Sequence, residues 1–160
     1  MQPNIADIKN KAPECTGCAI AKGTLGQKEG SILNSKYFEA HQDIEVPLHG
    51  LVILQSKRHI KAIDELSPEE RKEYAELLPK LRNAMRNLLG ISTVYIFQEE
   101  DSPHFHTALF PIEEWMILKY GRKIQNVHLV MEYAKVKFNT EENKKKIDES
   151  VQKLKAYFKW

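Results

Sequence analysis

The sequence predicts one domain that combines short β-strands with amphipathic α-helices. Three observations support this: apolar runs of strand length bounded by turn residues, a long helical pattern over residues 68–89, and a second amphipathic pattern at the C-terminal end. At 160 residues, with 42% hydrophobic and 29% charged side chains, the chain can build a hydrophobic core. This composition excludes a disordered polyampholyte.

The charge balance limits the classes of partner. The formal net charge is +2, from 24 Lys plus Arg against 22 Asp plus Glu, which argues against a dedicated DNA-binding or polybasic membrane-surface protein. The most continuous apolar run, residues 50–54, is far shorter than the roughly 20 residues of a membrane span. The first residues lack the apolar stretch of a secretory signal. We therefore expect a soluble cytoplasmic protein without nucleic-acid or membrane partners.

The strands are predicted from runs rich in β-branched and aromatic residues. Before them, residues 1–30 are predicted to form loops and short turns, because four glycines interrupt this segment. The strand-like runs are bounded by polar or turn residues. They are residues 37–40, 50–55, 93–97 and 105–110.

The clearest helix begins after Ser67. Ser67 suits the N-cap, Pro68 suits the first helical position, and Glu70 completes a capping box. Gly90 is a suitable stop, and Pro79 is predicted to kink the helix. One face carries an apolar stripe of Tyr74, Leu77, Leu78, Leu81, Met85 and Leu88.

The chain beyond residue 113 is predicted to be a helical extension rather than a second domain. Residues 115–120 and 127–136 are apolar and predicted to be helical, and Thr140 caps a clean amphipathic helix. The apolar face of that last helix consists of Ile147, Val151, Leu154 and Phe158.

The two cysteines, Cys15 and Cys18, form the sequence C-T-G-C. Three interpretations are open: a redox dithiol, half of a metal site, or two inert residues. A redox dithiol normally follows a buried strand, and no strand-like run precedes this pair. The polar, glycine-containing surroundings weaken the inert interpretation. The pair needs further ligands before it indicates a metal.

The histidines offer such ligands. If residues 105–110 extend as a strand from His104, alternation places His104, His106 and Ala108 on one face, where two imidazoles can serve one site with different roles. The alternative is a pair of exposed histidines on an edge strand. His41 and His128 are expected on the surface.

His59 follows the strand-like run at 50–55 and completes a possible ligand set. Cys15, Cys18, His59 and one strand histidine would form a Cys₂His₂ set, which suits Zn²⁺. The spacing is not that of a zinc finger, whose ligands lie close together in sequence. The site would instead be structural and would connect distant parts of the fold.

Three motifs together resemble a known family. They are C-x-x-C at residues 15–18, P-L-H-G-L-V-I at 47–53 followed by K-R-H at 57–59, and P-H-F-H-x-x-x-x-P at 103–111. Over roughly residues 13–112 the chain resembles the histidine-triad (HIT) superfamily of nucleotidyl hydrolases and transferases. It looks most similar to bacterial HIT-like, diadenosine tetraphosphate hydrolase-like proteins, and it is also similar to the galactose-1-phosphate uridylyltransferase branch.

The resemblance implies distinct roles for the site residues. His106 matches the nucleophile of the family. Cys15, Cys18, His59 and His104 match the ligands of a structural Zn²⁺ ion in the zinc-bearing members.

The phosphate side departs from the family pattern. His49, the amide of Gln98 and Ser102 are the expected donors to the nucleotide. The third histidine of the family falls on Ala108, which cannot hydrogen-bond a phosphate. The segment before the motif is also acidic, at residues 99–101.

The implied fold is α+β: an antiparallel sheet of about five strands with the long helix packed on it, usually as a homodimer. Residues 1–112 would form the HIT-like nucleotide-binding domain and residues 113–160 its C-terminal helical extension. The implied function is a nucleotide phosphohydrolase or nucleotidylyltransferase that forms a covalent nucleotidyl-histidine, with a dinucleoside polyphosphate or an adenylate conjugate as substrate. Two alternatives stay open: a nucleotide-binding protein with little turnover, and a zinc-stapled interaction module.

Overall fold

The computed structural model describes residues 15–25 and 30–159 of the chain. The prediction of loops over residues 1–30 therefore lies partly outside the described residues. In chain order the elements are α1 (Thr16–Ala21), β1 (Ser31–Asn34), β2 (Phe38–Gln42), β3 (Val52–Ser56), α2 (Pro68–Leu89), β4 (Val94–Phe97), β5 (His106–Pro111), α3 (Glu114–Tyr120), α4 (Val127–Lys137) and α5 (Glu141–Phe158).

The five strands form one antiparallel sheet in the order β1-β2-β3-β5-β4. This arrangement confirms the predicted α+β fold with about five strands. Four strands overlap the predicted runs, but β1 was not predicted. Only two of its four residues, Ile32 and Leu33, are buried, so its sequence carries little strand signal.

Helices α2 and α5 cover one face of the sheet and create the main core. Alternation along the strands directs one side chain in two toward these helices. The core includes Leu54 and Leu109 from the sheet, Leu81 and Met85 from α2, and Leu154 from α5. The C-terminal helix is thus packed into the same core as the sheet.

The long helix α2 has the predicted boundaries. Ser67 Oγ accepts a hydrogen bond from the Glu70 amide at 3.2 Å, and a Glu70 carboxylate oxygen accepts one from the Ser67 amide at 2.7 Å. Gly90 ends the helix in the left-handed conformation, with φ of 68°. The helix runs on through Pro79. Leu88, predicted on the apolar face, is 37% exposed, and the next residue, Leu89, packs against the core in the last turn instead.

Residues 16–21 form a helix, so the prediction of loops and turns for this segment is wrong. The cap is unusual, because the Cys15 sulfur accepts the hydrogen bond from the Cys18 amide at 3.2 Å. Cysteine is not among the common N-cap residues, and the sequence signal was missed for that reason. Within the described ranges, none of the helices has the length and hydropathy needed to cross a bilayer.

Candidate metal centre and histidine site

The two cysteines and two of the histidines converge at one end of β3. The ligand atoms of Cys15, Cys18, His59 and His104 all lie within 4.8 Å of one another. His59 Nδ1 is 3.3 Å from the Cys15 sulfur and 3.1 Å from the Cys18 sulfur. His104 Nδ1 is 3.4 Å and 3.6 Å from the same two sulfurs.

These separations fit a tetrahedral ion. With Zn–S bonds of about 2.3 Å and Zn–N bonds of about 2.1 Å, tetrahedral sulfur and nitrogen ligands lie about 3.6 Å apart. The tautomer of His104 also fits, because its Nε2–H donates to the Ser56 carbonyl at 2.7 Å and leaves a lone pair on Nδ1. The four residues therefore suit a Zn²⁺ ion by donor type, spacing and ring orientation.

Gly17 allows α1 to approach the His104 ring. A Cβ atom at Gly17 would lie 2.3 Å from Cγ of His104, a distance that no side chain tolerates. The Gly17 carbonyl also accepts a hydrogen bond from Gln55 Nε2 at 3.0 Å, which ties α1 to β3. The glycine between the two cysteines is thus required by packing.

An ion pair positions the segment that carries His59. Arg58 makes a bidentate contact with Glu70, with N–O distances of 3.0 Å and 2.8 Å. The Arg58 hydrogen bond is the main reason why the pKa of Glu70 lies below its usual value. Glu70 also caps α2, so the same carboxylate fixes the start of this helix and, through Arg58, the segment next to the candidate ligand His59.

Burial lowers the pKa of His104, although the Ser56 carbonyl opposes this shift. His104 is 3% exposed, and its ring lies edge-on to that of His59 with centroids 5.4 Å apart. The neutral ring is the form that binds a metal, so burial and ligation favour the same protonation state.

His106 begins β5, and its ring is held by a backbone acceptor. His106 Nδ1–H donates to the His104 carbonyl at 3.0 Å, which leaves the lone pair on Nε2. The prediction that His104 and His106 lie on one face of the same strand is wrong, because His104 lies outside β5. Regular pairing begins only at His106, because the chain around His104 turns to meet the cysteines.

The sheet face that carries His106 is opposite the face covered by α2 and α5. Gln55 on β3 is paired with His106, and Glu39 on β2 is paired with Gln55. Gln55 Nε2 donates to a Glu39 carboxylate oxygen as well as to the Gly17 carbonyl. Burial is the main cause of the raised pKa of Glu39.

The three predicted phosphate donors lie in different places. Ser102 Oγ donates to the His104 carbonyl at 3.4 Å, so it shares an acceptor with His106 and lies near it. The Gln98 amide donates to Tyr74 and Thr107, on the face covered by α2. Gln98 is thus not brought to the His106 ring in the described contacts.

His49 lies away from His106. It precedes the start of β3, whereas His106 is paired with Gln55 near the end of that strand. It lines a cavity of about 550 Å³ against α5, with Lys146 and Lys153. Its pKa is lowered mainly by burial. Its predicted contact with nucleotide stays a prediction.

Of the two histidines predicted to lie on the surface, His128 is exposed and His41 is buried. Glu99 pairs with His128 at 2.6 Å, and the His128 side chain is 61% exposed, as predicted. His41 is 8% exposed, so its predicted surface position is wrong. It lies on β2, which is paired with a strand on both sides, and the sequence around it did not reveal this.

No protein-family model and no curated protein sequence matches the chain significantly. Solved structures do match it. A Zn-bound histidine triad family protein from Mycobacterium smegmatis has a TM-score of 0.59 at 18% identity, over 90% of this chain and 97% of that one. A Hit-like protein involved in cell-cycle regulation from Bartonella henselae has a TM-score of 0.62 at 13% identity, over 89% and 95%.

A diadenosine triphosphate hydrolase from Plasmodium falciparum, solved with cyclomarin A, is also similar. Its TM-score is 0.55 at 18% identity, over 82% of this chain and 78% of that one. These likenesses show that the chain has the fold of histidine-triad proteins, as the sequence predicts.

Proposed function

We propose that this protein is a nucleotide phosphohydrolase or nucleotidyltransferase that reacts at the α-phosphate through His106. The observation that carries the proposal is the His106 ring, whose Nδ1–H is bound to the His104 carbonyl at 3.0 Å. Its Nε2 lone pair is therefore available as a nucleophile. The shared fold of histidine-triad proteins supports the same proposal by analogy.

The proposed reaction has two steps. His106 Nε2 forms a bond to the α-phosphorus as the bond to the leaving oxygen breaks, and a polyphosphate leaving group departs as its anion. Water then breaks the P–N bond, releases the nucleoside monophosphate and gives one proton to solvent. The Nδ1–H bond to the His104 carbonyl keeps the ring in one tautomer and orientation during both steps. Ser102 is the proposed neighbouring donor to phosphate oxygens.

Cys15, Cys18, His59 and His104 are the residues that would hold a Zn²⁺ ion. In this position the ion supplies structural stabilisation, since all four ligands come from the protein. It would connect α1, the segment after β3 and the segment before β5. The proposed nucleophile is two residues from one of these ligands, so the metal site would fix its backbone.

The substrate that we propose is a dinucleoside polyphosphate or an adenylate conjugate. The nucleoside would extend from His106 across β3 toward β2, where a cavity of about 310 Å³ lies on the same sheet face. For His49 and Gln98 to bind the phosphates, Gln98 would have to leave Tyr74 and Thr107, and His49 would have to contact a part of the substrate distant from His106. Glu99 is paired with His128 and so need not oppose the phosphates.

Ala108 favours a second candidate function, a nucleotide-binding protein with little turnover. Ala108 is 3% exposed and has no group to donate to a leaving phosphate. Substrate binding without release of product would support this candidate.

We also propose a homodimer. The strand β4 lies at an edge of the sheet, and Ile96 on it is 47% exposed. Analytical ultracentrifugation tests this; a monomer at micromolar concentration would contradict it.

The direct test of the function is release of AMP from diadenosine polyphosphates and adenylate conjugates by the zinc-loaded protein. Trapping the reaction with acid-free denaturation and mass spectrometry would detect nucleotidyl-His106. If the wild-type protein releases product and His106→Asn does not, the result supports the enzyme. Nucleotide-dependent thermal stabilisation without product supports the binding protein instead.

A further inference from the structure

A cavity of about 550 Å³ lies between α5 and the chain that leads into β3, at the other end of this strand from His106. Pro47 and Leu48 form part of its apolar wall, together with Trp115 and Phe138. The rings of Trp115 and Phe138 meet edge to face, with centroids 5.2 Å apart. A cavity of this size with aromatic walls is typical of sites that bind small organic molecules.

The His49 ring lines this cavity and is half-buried there. Among the residues that the structure describes, none makes a hydrogen bond with the ring, and burial and nearby charges account for the lowered pKa of His49. A neutral imidazole carries one N–H group and one lone pair. The ring is therefore free to donate a hydrogen bond to a ligand in the cavity.

Charges of both signs act on the His49 ring. Burial is the main cause of its lowered pKa, Glu113 opposes this shift, and Lys153 and Lys146 add to it. The two lysines lie on α5, whereas Glu113 immediately precedes α3. Lys146 is already paired with Glu142 at 3.2 Å. The cavity thus has a carboxylate and two ammonium groups close to one imidazole.

Glu113 and Lys153 have no ionic partner among the described residues. The Glu113 carboxylate accepts a hydrogen bond from the indole N–H of Trp115 at 2.9 Å, which fixes it beside the aromatic wall. A ligand with a single charge would leave one of these two groups unpaired. A ligand that carries both an ammonium and a carboxylate group would pair with both of them.

We propose that this cavity binds a free α-amino acid with a large apolar side chain. The carboxylate of the ligand lies at the Lys153 ammonium and the His49 N–H, and its ammonium group lies at the Glu113 carboxylate. Its side chain packs against Trp115 and Phe138, because an aromatic wall favours a large apolar group. The site is separate from His106, so this inference goes beyond the proposed function and does not depend on it.

Four probes separate the parts of such a ligand. L-phenylalanine carries both charges and a ring, phenethylamine lacks the carboxylate, 3-phenylpropionate lacks the ammonium group, and L-alanine lacks the ring. Each probe is titrated into the zinc-loaded protein, and the indole N–H signal of Trp115, assigned by its absence in Trp115→Phe, is followed by NMR. We expect L-phenylalanine to bind with a dissociation constant of about a millimolar or less. Each of the other probes should bind about tenfold more weakly, because one interaction is lost.

Two charge variants assign the interactions. Lys153→Met keeps the apolar stem of the side chain and should weaken L-phenylalanine about tenfold, with phenethylamine unchanged because it has no carboxylate. Glu113→Gln keeps an oxygen acceptor for the Trp115 N–H and should weaken L-phenylalanine, with 3-phenylpropionate unchanged. Lys145→Met and Glu114→Gln are the matched controls, since these exposed residues do not line the cavity, and both should bind L-phenylalanine as the wild type does.

The other outcomes overturn the inference in distinguishable ways. If no probe shifts the Trp115 signal at tens of millimolar, the cavity does not bind amino acids. If 3-phenylpropionate or phenethylamine binds as tightly as L-phenylalanine, the cavity is a site for an organic anion or for an amine, and a zwitterion is not required. If Lys153→Met and Glu113→Gln both bind L-phenylalanine as the wild type does, the ligand lies elsewhere. None of these results affects the role of His106, which the release of AMP tests separately.

Discussion

The backbone carbonyl of His104 accepts the Nδ1–H of His106 at 3.0 Å, while the ring of His104 lies against the sulfurs of Cys15 and Cys18. One residue thus contributes its side chain to the candidate metal centre and its backbone to the candidate nucleophile. The two histidines should respond differently to substitution.

His104→Ala should remove a metal ligand. Metal content should fall, and the free energy of unfolding should fall by about 3 kcal/mol or more, since a buried ring and a bound ion are both lost.

His106→Asn should keep the metal and the melting temperature but reduce turnover by about a thousandfold or more, because an amide cannot form the P–N bond. Metal analysis, a thermal melt and an AMP-release assay on both variants measure this. Loss of metal in both variants would mean that His106 is a ligand, and full turnover in His106→Asn would exclude the proposed mechanism.

Protein purified without added metal should contain about one Zn²⁺ per chain, because Cys15, Cys18, His59 and His104 provide a complete tetrahedral set. A strong chelator should lower the melting temperature, and added Zn²⁺ should restore it. Elemental analysis and calorimetry check both. Cys15→Ser should bind the ion less tightly, whereas Thr16→Ser, on an exposed neighbour, should behave as wild type. A metal-free preparation that melts at the same temperature as the zinc-loaded one would rule out this site.

Gly17→Ala should disturb the metal centre without touching a ligand. Its Cβ would lie 2.3 Å from Cγ of His104, so α1 or the ring must move. We expect a loss of about 1–3 kcal/mol and weaker metal affinity. Gly30→Ala is the matched control, because a Cβ there would meet nothing within 4 Å. Equal metal affinity in the two variants would show that α1 adapts freely.

Ala108→His should tighten nucleotide binding or raise turnover modestly, by up to about tenfold, because it adds a donor on the strand that carries His106. Ala108 is buried between Ile53 and Phe97 on the paired strands, so size must be separated from chemistry. Ala108→Leu adds comparable volume without a donor and serves as the control. An equal response of the histidine and leucine variants would assign the effect to packing alone.

Stability should fall in mild acid. Burial holds the pKa of His104 below its usual value in the metal-free folded protein, so the unfolded chain binds the proton more readily. The contribution of this group is fully present above about pH 6.5 and is lost as the pH falls through the folded pKa. A bound ion would occupy the Nδ1 lone pair, so the zinc-loaded protein should keep its stability to lower pH than the metal-free protein. Thermal melts of the metal-free and the zinc-loaded protein between pH 8 and pH 5 measure this, with His128→Gln as a control on an exposed histidine. A melting temperature of the metal-free protein that stays constant to pH 5 would contradict this prediction.

The elements with strong local signals could be predicted from the sequence. Ser67, Pro68 and Glu70 define the start of α2 through local hydrogen bonds, and Gly90 defines its end through backbone conformation. The four predicted strands were apolar enough to recognise. By contrast, α1 has only six residues and a sulfur cap, and β1 has only four residues. These elements are held by contacts with residues distant in sequence.

The candidate metal centre could be predicted from the sequence because cysteine and histidine are chemically distinctive ligands. The residues around this centre could not be predicted. The resemblance named Cys15, Cys18, His59 and His104, and the structure brings these four together. Nothing in the sequence indicates that the Ser56 carbonyl fixes the tautomer of His104. The burial of His41 likewise depends on strands that pair on both sides of it.

The separation of the candidate metal ligands along the chain has a consequence for biosynthesis. Cys15 and His104 are 89 residues apart, so at about 5–20 residues per second the cysteine pair is made several seconds before the last ligand. During that interval the thiols have no complete site to enter. A disulfide formed between Cys15 and Cys18 would remove both sulfur ligands at once. Loading of a metal into this site would therefore depend on surroundings that keep a newly made dithiol reduced until the sheet has formed.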